Sequence, residues 1–288
     1  MKPSFILTQL ILVSAFVASP PALAGEHQII TFDVPGSYQD PGGGTLAAVI
    51  NDFGEIAGLY VGATDLQVHG FLRRADGTFV TFDPPGSIYT NPYGLNLEGA
   101  ITGVYYDDSG FEHGFLREPT GKFTTFDPSP SQGTEALNIN DSGEIAGDHF
   151  DANGITHGFL RSRAGTILLW DVPGADQGTR PAVSSALTNE GTVAGDFRVT
   201  DSNVNPPYDS HGFLRHPDGT FTTSDVPGSS DTYMSSVNDE NVTAGFWVVA
   251  HGQVEHAFVR ARDGRITTFD APGAGTGDRC QSAGHPPL

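Results

Sequence analysis

The stretch HGFLREPTGKFTTFD (113–127) opens on His113 and closes on Asp127, and the chain repeats that frame. It returns as HGFLRRADGTFVTFD (69–83), HGFLRSRAGTILLWD (157–171), HGFLRHPDGTFTTSD (211–225) and HAFVRARDGRITTFD (256–270). Successive histidines step by 44, 44, 54 and 45 residues. A second block recurs between the frames, seen as AAVINDFGEIAGLYV (47–61), ALNINDSGEIAGDHF (136–150) and SSVNDENVTAGFWVV (235–249). A period of roughly 40–50 residues built from short strand-like runs indicates propeller blades or a β solenoid.

Each unit divides into four strands, A to D. In the third, A is read at 135–140, B at 144–150, C at 157–161 and D at 166–171. The A–B turns end on Gly54, Gly99, Gly143 and Gly191, and on Asn241 in the fifth unit. Gly and Asn are the residues that accept positive φ at least cost, so one backbone requirement accounts for all five. Only the link from D to the next A is long. A meander whose last strand lies at the rim, and whose successor starts at an axis, needs that asymmetry; a stacked solenoid does not.

Folding the C–D hairpin about Gly121 sets His113 across from Asp127, Phe115 across from Thr125 and Gly114 across from Phe126. Apolar residues fall on both faces, so both faces are expected to be covered, as blades are by their neighbours. The expected fold is an all-β propeller of about five four-stranded blades, at 45–83, 92–127, 134–171, 182–225 and 233–270, within a repeat domain of 25–274. An extra D-like strand at 28–33 precedes the first unit. It leaves two arrangements open: five blades with that strand closing the ring beside the fifth, or a six-blade array with one blade incomplete.

The ends read differently. Lys2, an apolar run from Phe5 to Val17 and the pattern Ala22-x-Ala24 mark residues 1–24 as a signal peptide, implying a secreted or periplasmic protein. No later run reaches the ~18 apolar residues of a membrane span. Residues 275–288 match no repeat and are expected to be a disordered tail. Cys280 is the only cysteine, so no internal disulfide is available. A net charge of −20 is the wrong sign for nucleic-acid backbones or anionic lipid.

The units HGFLR…TTFDxPG…INDxGEIAG resemble the bacterial extracellular HAF-repeat family, named for a His-Ala-Phe triplet. That triplet is literal at His256-Ala257-Phe258 and reads His-Gly-Phe in the other four units. The resemblance spans about 28–275 and implies secretion and a repeat-built β fold. It transfers no catalytic residue.

The pairs His69–Asp83, His113–Asp127, His157–Asp171, His211–Asp225 and His256–Asp270 are read as structural clamps. In each, the Asp accepts from one ring nitrogen and a backbone group meets the other. Five equivalent ligand sites, or a ring of metal sites, are the sharper alternatives. Catalytic signatures are absent from the sequence, which leaves positions where the copies differ. Asp148 and Asp196 stand where other units have Leu59, Val104 and Phe246, and two carboxylates on neighbouring blades meet the requirement for glycoside hydrolysis. The commoner reading is two acids facing solvent. Asp201, Asn203, Asn205 and Asp209, in the enlarged fourth unit, offer alternating oxygen ligands for calcium, though Pro206 replaces the Gly of an EF-type loop. Tyr38, Tyr89, Tyr93, Tyr208 and Tyr233 suit sugar stacking or loop packing. The expected function is a secreted, non-enzymatic binding or scaffolding role, with carbohydrate or another cell-surface ligand as partner. A glycoside hydrolase or lyase is the alternative.

Overall fold

The computed structural model is described for residues 29–39, 44–183, 185–203, 208–249 and 254–271. The signal peptide, the 275–288 tail and Cys280 lie outside these residues. The described residues form twenty strands and no helix. Blade one comprises β1 (Thr45–Ile50), β2 (Ile56–Val61), β3 (Val68–Arg73) and β4 (Phe79–Phe82). Blade two comprises β5 (Ser87–Leu95), β6 (Ile101–Asp107), β7 (Glu112–Arg117) and β8 (Phe123–Phe126). Blade three comprises β9 (Thr134–Ile139), β10 (Ile145–Phe150), β11 (Thr156–Arg161) and β12 (Ile167–Trp170). Blade four comprises β13 (Thr179–Pro181), β14 (Val193–Thr200), β15 (Tyr208–Arg215) and β16 (Phe221–Ser224). Blade five comprises β17 (Asp231–Val237), β18 (Thr243–Val249), β19 (Val254–Arg260) and β20 (Ile266–Phe269). Blades two, four and five therefore begin a few residues earlier than the sequence reading placed them.

Every blade is an antiparallel meander, and one parallel bridge, Val68 to Tyr89, joins the first two. The hairpin register matches the fold-back about the C–D glycine: Gly114 faces Phe126 and Phe115 faces Thr125. Ala257 faces Phe269 in the same way. The turn glycines hold positive φ, 79° at Gly143 and 89° at Gly121, and Asn241 adopts 59° in place of a glycine.

Successive blades lock by a repeated aromatic contact. The last-strand aromatic of one blade meets the third-strand Phe of the next: Phe82 with Phe115, Phe126 with Phe159, Trp170 with Phe213, at centroid separations of 6.4, 5.9 and 5.5 Å. The Arg that ends each HGFLR motif then covers the same ring. Arg117 lies 4.9 Å over Phe82, Arg161 4.8 Å over Phe126 and Arg215 5.5 Å over Trp170. At the fourth junction the aromatic is replaced by Ser224. Met234 fills the space, against Gly212 and within a cluster containing Phe258. Arg260 has no ring beneath it among the described residues.

A belt of amides joins the inner A–B turns. Asn51 Nδ2 donates to the Asn96 carbonyl, Asn96 Nδ2 to that of Asn140, and Asn140 Nδ2 to that of Thr188, at 3.2, 3.1 and 3.0 Å. Each Oδ1 also accepts from its own turn, as Asn96 does from the Ala100 N–H. The five turns surround a depression of about 420 Å³.

The wedges are not all mutually buried. No strand of blade five packs against blade one as neighbouring blades pack against each other. Phe269 is 53% exposed, whereas its counterparts Phe82 and Trp170 are 7% and 9% exposed. The N-terminal expectation also needs correction. Residues 29–33 carry no strand, and Ile29 and Ile30 are exposed. The segment that follows belongs to blade one rather than blade five: Val34 donates its N–H to Thr45 Oγ1, and Tyr38 donates to the Val61 carbonyl. It acts as the D-to-A linker of a first blade, as Val172 does by donating to Thr179 Oγ1.

Candidate functional site

All five His–Asp pairs form, and all use the same ring nitrogen. Nδ1 lies 2.7 Å from a carboxylate oxygen in His69–Asp83 and His113–Asp127, 3.0 Å in His157–Asp171, 2.9 Å in His211–Asp225 and 2.8 Å in His256–Asp270. The His starts the third strand and the Asp follows the fourth, so the pair closes the open end of the hairpin. The other nitrogen does not meet backbone, as the sequence reading had it. Nε2 of His69 is 3.1 Å from Asp65, that of His113 is 3.3 Å from Asp107, and that of His157 is 3.8 Å from Asp151. These acids sit in the B–C turns, so in three blades one imidazole ties three segments. Each ring also packs against a second-strand ring: Tyr60, Tyr105, His149, Phe197 or Trp247. The arrangement repeats five times, and every imidazole is bonded within its own blade. The Asp65 and Asp107 carboxylates sit below the ordinary range, mainly through hydrogen bonds from neighbours in their own turns.

The copies diverge instead at the inner end of the sheets, where the first strands begin. One cross-strand row in blade three runs Glu135, Asp148, Gly158, Trp170. The same row in blade two is Asn91, Val104, Gly114, Phe126, and in blade one Leu46, Leu59, Gly70, Phe82. In blade four the row contains Arg180 beside Asp196. Blades three and four thus place charges where blade one places leucines. Arg180 reaches back to blade three, its Nε 3.6 Å from Asp148 and its Nη2 3.8 Å from Glu135.

Asp148 is wholly buried, and neither carboxyl oxygen has a hydrogen bond. Burial, reinforced by the charge of Glu135, pushes its pKa well above the carboxylate range, and Arg180 opposes this. Asp196, half-buried, is raised by desolvation. The two acids named from sequence are therefore near one guanidinium. They do not face solvent as a free pair: one is sealed between blades.

Around this core lies a half-buried polar rim from blades two and three. Tyr106 donates its hydroxyl to Glu112 at 3.2 Å, and Tyr89 packs edge-on to Tyr106 at 5.2 Å. Burial, then the Glu135 charge, pushes Glu112 up to about 7. Burial also raises the Tyr93 and Tyr106 phenols, with Glu135 adding to the first and Glu112 to the second. Tyr89, Asn91, Tyr93, Tyr106, Glu112, Glu135 and Arg180 each keep some accessible surface. Together they offer hydroxyl, amide, carboxyl and guanidinium groups beside aromatic rings.

The remaining tyrosines pack. Tyr233 stacks on Phe246 at 4.7 Å, and Arg198 covers Tyr208 at 4.7 Å. In the fourth-unit loop, the N–H and Nδ2 of Asn203 both donate to one oxygen of Asp201 at 2.8 Å. Asp209 lies on β15 opposite Val199, and Asn205 falls outside the described residues. Among the described residues no group of three His, Cys, Asp or Glu side chains is placed to hold a metal ion. Sequence reading missed Arg180, Glu112 and Glu135. Comparing the first strands column by column would have shown Leu46, Asn91, Glu135, Arg180 and Tyr233 at one position.

No family model and no curated protein sequence matches the chain. Solved structures do. Virginiamycin B lyase from Staphylococcus aureus aligns with a TM-score of 0.52 at 14% identity, covering 83% of this chain and 73% of that one. TolB from Acinetobacter baumannii gives 0.46 at 14%, covering 76% and 53%. The SapL1 lectin, in complex with alpha methyl fucoside, gives 0.31 at 12%, covering 78% and 79%. The fold is a β-propeller. Similarity at this level extends to architecture alone.

Proposed function

We propose that this propeller is an exported binding module whose ligand, a hydroxyl-rich group of carbohydrate type, enters the rim formed by Tyr89, Asn91, Tyr106, Glu112, Glu135 and Arg180. One observation carries the reading: Glu135, Asp148, Arg180 and Asp196 stand where blade one has Leu46 and Leu59, and Glu135 and Arg180 keep accessible surface beside Tyr106 and Glu112. A repeat fold spends such departures where copies must act differently. Carboxyl and amide groups bond sugar hydroxyls, and tyrosine rings stack on sugar faces.

A hydrolase or lyase reading finds support in the raised Glu112, a carboxyl able to give up a proton near neutrality. It is weakened at Asp148, which is sealed and held by Arg180. Testing uses a glycan array probed with the mature protein and with Glu135→Gln and Tyr106→Phe variants. Binding that both variants reduce supports the module. Absence of any glycan signal, or a signal both variants retain, overturns it; polysaccharide cleavage abolished by Glu112→Gln would establish the enzyme instead.

A further inference from the structure

Blade five exposes one sheet face more than its counterparts do, most plainly at Phe269 and Ala244. One row crosses all four strands as Tyr233, Phe246, Ala257 and Phe269. The adjacent row is Ser236, Ala244, Val259 and Thr267. The residues matching Ala244 in the other blades, Ala57, Thr102, Ala146 and Ala194, are all 0% exposed, yet Ala244 is exposed. Neither row carries an ionisable group except the Tyr233 phenol, and Glu255 stands at one rim. In a chain of net charge −20, this face lets two copies approach without direct repulsion.

We propose that the protein pairs with a second copy of itself through this face, the same surface on both partners. Within the chain the matching face of each earlier blade is covered by the opposite face of the next blade, so this face has the shape of a packed sheet surface, and the pairing sets it against its own copy. Blade one of another copy is the less suitable mate. Its Phe71, equivalent to the Phe that receives the last-strand aromatic at the internal junctions, is 0% exposed and offers no open seat. A two-fold axis reverses the row. Phe246 of one copy then faces Ala257 of the other, large against small, and Phe269 faces Tyr233. Symmetric pairing through one self-complementary patch is the commonest route to a dimer.

Sedimentation velocity on the mature chain, from micromolar to near-millimolar concentration, tests this. A dimer is expected. Phe269→Glu and Ala244→Glu should each weaken it by roughly tenfold or more, with unchanged circular dichroism because both sites are exposed. Hydrogen exchange provides a second measurement: residues 243–249 and 266–270 should become protected as concentration rises. A monomer at every concentration overturns the proposal, as does a dimer undiminished in both variants. Protection of these strands in a monomer would assign the cover to the same chain and equally overturn it.

Discussion

The guanidinium of Arg117 lies 4.9 Å above the ring of Phe82, and the two residues belong to different blades. The contact explains why the Arg of HGFLR recurs. It closes three of the four junctions over an aromatic that the previous frame supplies. Arg117→Leu keeps apolar bulk and removes the cation, and should cost about 1 kcal/mol; Arg117→Ala also strips the packed stem and should cost more. Thermal or urea denaturation orders the two. An equal loss in both variants would mean the stem alone matters.

The His–Asp pairs should make a moderate contribution. In His113–Asp127 the side chains are 21% and 32% exposed, so water competes for both partners. His113→Ala should destabilise by about 0.5–1.5 kcal/mol, and Asp127→Ala by a similar amount. The double variant should fall short of their sum, since both changes remove one bond.

Arg180 should be the most sensitive position at the inner rim. Arg180→Ala leaves Asp148 sealed without a cation and should destabilise most at alkaline pH, by up to about 3 kcal/mol. The loss should shrink as pH falls, because a protonated Asp148 needs no partner. Asp148→Leu in the same background should restore much of the stability.

The pH profile of stability follows from opposing shifts. Burial works against protonation of His69 and His113, but the hydrogen bonds they donate to Asp83 and Asp127 prevail and raise both above 6.5; at His211 the bond donated to Asp225 dominates. A group raised on folding stabilises fully below its unfolded pKa and loses that contribution as pH rises through the folded one. Glu112, raised from 4.5 to about 7, follows the same rule. Asp76 and Asp218, lowered from 3.8 chiefly by their Thr78 and Thr220 hydrogen bonds, lose theirs as pH falls below that range. His149, lowered by burial, opposes the other histidines. The melting temperature should therefore be highest on the acid side of neutrality, between about 4 and 6.5, and fall toward pH 8. Glu112→Gln should flatten the upper limb; a profile still rising at pH 8 would contradict these assignments.

Architecture was legible in the sequence because repetition multiplies weak signals. One Gly at a turn says little, but Gly77, Gly121, Gly165, Gly219 and Gly264 in one register define a hairpin. The cross-strand pairing of Gly114 with Phe126 followed from that turn alone. Rim chemistry was harder to read, because Arg180 acts across a junction and touches Asp148 from thirty-two positions away. Within its own unit it looks like an ordinary strand residue. The exposed face of blade five escaped notice for a related reason: Phe269 matches Phe126 in sequence, and only the following wedge distinguishes them.

Ser224 gives the array a weak seam. Three junctions are clasped by an aromatic with an Arg laid over it, whereas the fourth relies on the flexible thioether of Met234. Because a repeat array melts where nearest-neighbour coupling is smallest, heating should detach the final wedge before the remainder loosens. A protease added near the transition should then cut in the 225–231 connector and leave a resistant core of four wedges, while Ser224→Phe should delay that cut.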